Sequence, residues 1–145
     1  MVSLSLFVIA GLIAGIGILV VYKRLVYRLA NLINENKFNQ QSLQKEQTKY
    51  FISVALIEAL PIILFVFGFV NAQDAAIDFS SKIIPFIIIL GLAAFCIAQV
   101  FITKQEIPTE KLSSSEQNLI KTFHFVGIAT ILAIPTLSIV GILVV

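Results

Sequence analysis

The side chain with the most chemistry open to it is Glu58. It lies near the middle of residues 51–70, FISVALIEALPIILFVFGFV, and it is the one ionisable group in that stretch. A helix of this length crosses the ~30 Å hydrocarbon core of a bilayer. A carboxylate at that depth costs roughly 2–4 kcal/mol, so a chain that keeps one has a use for it. Pro61 follows three residues later. In a helix its nitrogen cannot donate to the carbonyl of Ile57. A protonated Glu58 could donate to that carbonyl or to a neighbouring one, which favours the neutral acid. Three roles are open to such an acid: carrying an ion, holding the structure through a partner, or contacting another subunit.

The elements that must position Glu58 follow from composition. The chain has 145 residues, 59% hydrophobic and 12% charged. That is a membrane composition. Four apolar runs, roughly 4–22, 51–70, 83–103 and 119–144, approach or exceed the ~18 residues of a spanning helix. The first run has no basic segment before it and no small-residue cleavage site, so it reads as a span and not as a leader. The expected fold is an all-α membrane protein with four transmembrane helices in two antiparallel hairpins, 1–72 and 73–145. The first hairpin carries the carboxylate and a long polar extension; the second lacks the carboxylate.

Residues 22–50 are polar yet helical in pattern, with Leu25, Leu29, Leu32 and Ile33 at helical spacing. Asn34-Glu35-Asn36 reads as a turn, and Gln40 to Lys49 as the start of a returning helix. With the turn near Asn36, Glu58 falls level with Ala14. In the first run, Gly11 and Gly15 form a GxxxG pair, and Gly17 adds a further small position. In lipid, small residues let helix backbones approach closely and gain dispersion contacts. The expected support for Glu58 is therefore Ala14, Gly15, Ile57 and Pro61, with Gly11, Gly15 and Gly17 as packing positions.

Residues 54–63, Val-Ala-Leu-Ile-Glu-Ala-Leu-Pro-Ile-Ile, resemble the second helix of the proteolipid c subunit of rotary ATP synthases. In that family the glutamate carries the ion of a rotating ring, and the first helix is rich in glycine. The resemblance implies a proton-carrying component of a rotary membrane sector, in a homo-oligomeric ring or a larger membrane complex. It also implies a stator subunit supplying an arginine that releases the ion. The family's Arg-Gln-Pro loop has no match here; the corresponding stretch is Phe38-Asn39-Gln40.

The second half repeats the plan. Ser113-Ser114-Ser115-Glu116 reads as a helix start after Pro108. Glu58-Ala59-Leu60-Pro61 aligns with Leu132-Ala133-Ile134-Pro135, so Leu132 stands where a second carboxylate would be. Four-helix proteolipids formed by duplication occur in the vacuolar-type rotary family.

Basic residues alternate between connections. Lys23, Arg24, Arg28, Lys37, Lys45 and Lys49 lie in the first, and Lys104, Lys111 and Lys121 in the third. The second, residues 71–81, holds Asp74 and Asp78. This alternation predicts connections one and three in the cytoplasm, with both termini outside, in a bacterial cytoplasmic membrane. Membrane lipids are then partners, and nucleic acid is not.

Proton is the expected ion. A sodium site needs several oxygens around one cation. Ala59 and Leu60 follow Glu58, and Ala14, Gly15 and Ile18 stand opposite. His124 reads as an interfacial hydrogen-bonder and Gln99 as a residue able to bond across helices. Cys96 reads as a small apolar packing residue. No phosphate loop, metal cluster or activated nucleophile is present in the sequence, and no cofactor is expected. The chain is at most a non-catalytic proton-translocating subunit. The alternatives are a structural or assembly subunit of a bacterial membrane complex and, last, a small transporter.

Overall fold

The computed structural model describes residues 2–72 and 77–145. Four long helices follow in order: α1 (Val2–Asn34), α2 (Gln40–Ala72), α3 (Phe79–Lys104) and α4 (Ser114–Val144). A short 3-10 turn, Thr109–Lys111, precedes α4. Each of the four is long and apolar enough to cross a membrane. The chain is an all-α, membrane-type protein. The second connection lies partly outside the described residues, and Asp74 with it.

The helix ends follow local chemistry. Asn36 adopts a left-handed φ of 55° after α1, a conformation asparagine tolerates better than most residues. The Asn39 side chain then accepts from the Ser42 backbone N–H at 2.7 Å, capping α2. At α4, Ser113 and Glu116 form a reciprocal capping box, as the sequence pattern predicts. Glu116 is held below the usual carboxylate range by its bonds to the Ser113 backbone and hydroxyl.

α1 is the centre of the bundle. It packs on α2, α3 and α4, whereas α2 and α3 hardly touch. Its buried face includes Phe7, Ala10, Ala14, Ile18, Tyr22, Leu25, Leu29 and Ile33. The opposite stripe, with Ile9, Ile16 and Val20, stays exposed in the gap between α2 and α3. Lipid-facing residues of α2 include Ile52, Leu56, Leu60, Ile63 and Phe67. Burying apolar groups from lipid gains little, so close packing must hold the helices together.

The glycines show where that approach is closest. A Cβ on Gly11 would lie 2.6 Å from Ile89 Cδ1, and one on Gly15 3.1 Å from Leu92 Cδ2 and 3.5 Å from Pro135 Cγ. The GxxxG pair therefore joins α1 to α3 and α4, across the two hairpins. Gly17 is the glycine that faces α2: a Cβ there would meet Ile57 Cγ2 at 2.8 Å.

The ends carrying connections one and three lie together, because Lys111 Nζ donates to Asn34 Oδ1 at 2.8 Å. We call this the inner end. α1 and α2 continue past their apolar runs there and form the expected polar extension.

Candidate functional site

α2 buries Leu43, Glu46, Tyr50, Val54, Pro61 and Gly68 along one face. Glu58 lies on the flank of that face and is half-buried. Ile57 seats on Gly17, which sets the depth of Glu58 level with Ile16. That is two residues, about 3 Å, from the expected level at Ala14. The reason is the turn. Asn39 caps α2 and the helix begins at Gln40, so the hairpin centres on Lys37 instead of Asn36.

The expected support is partly assembled. Pro61 is buried on the α1-facing side, and Ile57 is half-buried against Gly17. Ala14 is fully buried in α1. Gly15 is buried too, but its neighbours are Leu92 and Pro135, not α2. Among the described residues the Glu58 carboxyl makes no hydrogen bond and no ion pair. Tyr50 lies about two turns inward on the same helix.

From Tyr50 a series of polar groups runs toward the inner end through the core. The Tyr50 hydroxyl lies 2.6 Å from Thr130 Oγ1 on α4. Thr130 points its proton at the carbonyls of Gly127 and Val126, at 2.9 and 3.1 Å. With that proton committed, Tyr50 is the donor. The Tyr22 ring packs 6.4 Å from the Tyr50 ring. Its hydroxyl meets His124 Nδ1 at 2.6 Å. His124 is only 5% exposed, and its Nε2 is buried without a hydrogen-bond partner among the described residues. The phenol can donate or accept, so the direction of this bond goes with the imidazole tautomer. Gly127 leaves room for Tyr22, since a Cβ there would come within 2.5 Å of the ring.

The sequence suggests His124 as an interfacial hydrogen-bonder and Gln99 as a residue bonding across helices; His124 bonds instead to Tyr22 inside the bundle. Gln99 accepts from Lys23 Nζ at 2.6 Å, tying α3 to α1. The reading missed Tyr22, Tyr50 and Thr130. It also missed Glu46, which Lys49 and Arg28 hold at 2.8 and 3.3 Å. Burial alone would raise the Glu46 carboxyl, but the bonds from Lys49 and Arg28 outweigh it and hold it below the usual range. Cys96 is buried and free, in keeping with a packing role. Leu132 is half-buried, as Glu58 is, and Pro135 is buried, as Pro61 is. No cluster of three metal-ligating side chains occurs among the described residues.

Comparison with family models, curated proteins and solved structures finds no match to this chain.

Proposed function

We propose that this chain carries protons on Glu58 as a proteolipid-like component of a membrane assembly. The observation behind the reading is the isolation of Glu58. It is a half-buried acid in the middle of a spanning helix, one turn from a buried proline, and no described residue holds it. A structural acid in this fold is held, as Glu46 is by two cations. Charging Glu58 without a partner costs free energy, so the neutral acid is its resting form. Release requires an arriving positive charge. A partner subunit bearing an arginine would supply it, as the resemblance implies. The two hydrogen-bonded pairs Tyr50–Thr130 and Tyr22–His124 lie between Glu58 and the inner end and support a proton path on that side. The bias of basic residues toward that end supports placing it in the cytoplasm. A single cysteine at Asn36, in a Cys96→Ser background, should then resist an impermeant reagent that labels one at Ser80.

A second reading has its own support. Gly11 and Gly15 are filled by the chain's own α3 and α4. Those glycines are then not free to pack against neighbouring copies, as the inner wall of a proteolipid ring would need. This favours a structural or assembly subunit. Proton uptake into proteoliposomes by the purified complex, wild type beside Glu58→Gln, decides between the two. Glu58→Gln keeps shape and hydrogen bonding but cannot release a proton. Normal uptake with Glu58→Gln removes the carrier reading.

A further inference from the structure

We propose that the inner end of the α1–α2 cleft binds the phosphate of an anionic phospholipid, whose acyl chain lies along α1 in the gap between α2 and α3. The inference does not depend on proton carriage by Glu58. A cavity of about 60 Å³ sits there, lined by Arg24, Arg28, Glu46, Lys49, Tyr50 and Ser53 among others. It lies where the apolar runs of α1 and α2 give way to polar sequence, which is headgroup depth.

The charges are unequal: three cations face one carboxylate. Glu46 is 10% exposed at its side chain and occupies Arg28 and Lys49, yet those two remain 52% and 50% exposed. Each can take a second anion. Arg24 forms no ion pair or hydrogen bond among the described residues. A guanidinium grips phosphate with two parallel N–H bonds, which a lysine cannot do. Glu46 thus orients two of the cations and leaves the site with a net positive charge.

The floor beyond the cavity is apolar. Val20 and Ile16, the next exposed residues of α1, are 44% and 48% exposed, and Ile9 continues the stripe at 44%. They remain open because α2 and α3 hardly touch. Lys23, held on Gln99, marks the α3 side of the same entrance. A cationic mouth above an exposed apolar stripe fits a lipid better than a soluble anion. A choline headgroup would bring its own cation toward Arg24 and Arg28, so the preferred lipid carries net negative charge.

The test uses the full chain purified in neutral detergent. Native mass spectrometry reads lipid retention, and thermal unfolding reads stabilisation. The probes are phosphatidylglycerol, phosphatidylcholine with the same acyl chains, and inorganic phosphate. We expect phosphatidylglycerol to be retained and to raise the unfolding midpoint, and the other two to do neither. Each basic residue near a charged headgroup is worth about fivefold in affinity. Arg24→Gln should therefore weaken retention about fivefold, and the Arg24→Gln/Arg28→Gln/Lys49→Gln variant should lose the preference altogether. Lys121→Gln, at the inner end of α4, should change nothing. Arg24 holds no other residue, so its variant stays folded and decides the matter if the triple variant does not. Equal retention of the two lipids, unchanged retention with Arg24→Gln, or equal stabilisation by inorganic phosphate would overturn the proposal.

Discussion

The two glutamates of α2, Glu46 and Glu58, show two ways of burying an acid. Glu46 sits at the inner end, with Lys49 on its own helix and Arg28 across the hairpin. Its charge is matched, its geometry is fixed, and partial exposure of both cations keeps the cost of desolvation low. Glu58 sits three turns deeper, where neither helix offers a cation. The difference teaches what a structural carboxylate looks like in this bundle. It also shows that Glu58 does not meet that description.

The sharpest way to break the comparison is to neutralise each acid in turn. Glu58→Gln should abolish proton uptake while changing stability by no more than about 0.5 kcal/mol, since no bond to a described residue is lost. Glu46→Gln should do the reverse, leaving uptake within about twofold. A hydrophobic carbodiimide, which attacks protonated carboxyls in apolar surroundings, extends the contrast. It should label Glu58, and faster at lower pH, while ionised Glu46 stays unlabelled near neutrality. Sodium should not protect Glu58. Protection by sodium would mean that oxygen ligands surround Glu58, and the contrast with Glu46 would then lie in the ligand and not in isolation.

How much of this was legible in the sequence depends on the length scale. Four spans, the Ser113–Glu116 cap and the polar extension of the first hairpin follow from hydropathy and turn chemistry, and the structure has them; the Asn39 cap of α2 was not read. The partner of each glycine was not legible. Periodicity shows that Gly11 and Gly15 share a face, but not whether α2 or the second hairpin covers it. The register was nearly legible. With the turn centred on Lys37, Arg28 and Glu46 stand at equal distances on either side, and so do Gly17 and Ile57. Centring it on Asn36 slips each pair by two residues and hides the ion pair. The Tyr22–His124 and Tyr50–Thr130 contacts join the two hairpins. Nothing local in a sequence fixes how two hairpins dock.

That docking supplies the next largest effect. Gly15→Leu should drive a side chain into Leu92 and Pro135 and push the second hairpin off α1, costing about 1–3 kcal/mol or more. Gly17→Leu should instead pry Ile57 away and open the first hairpin at the depth of Glu58. Carbodiimide labelling of Glu58 should quicken with Gly17→Leu and hold steady with Gly15→Leu. The opposite ranking would mean that α3 and α4, not α1, shield the acid.

Glu46 predicts a smaller change with a definite sign in pH. Its folded carboxyl lies below the ordinary value of 4.5 because Lys49 and Arg28 outweigh burial. The folded state therefore binds the proton more weakly than the unfolded chain does. The stabilisation is fully present above the unfolded value and fades as pH falls through the folded one. Both cations are half exposed, so solvent screening keeps it to about 1–2 kcal/mol. Chemical unfolding followed from pH 7 downward, until the folded carboxyl is protonated, should show wild type losing that margin and Glu46→Gln losing little of it. The gap between the two should also narrow in high salt.

The smallest effect concerns Tyr50, the residue between the two acids. Tyr50→Phe keeps the ring packed on Phe123, whose centroid lies 5.5 Å away, and removes only the hydroxyl. Thr130 retains its bonds to backbone carbonyls, so no buried group loses its last partner. The stability cost should be about 0.5–1.5 kcal/mol. Flux tells more. If protons reach Glu58 from the inner end past Tyr50, losing the hydroxyl should slow uptake several-fold without touching carbodiimide labelling. If uptake holds at the wild-type rate, the proton arrives from the lipid-facing side of α2, where a partner subunit would stand. Glu58 would then be isolated from its own chain in function as well as in contacts.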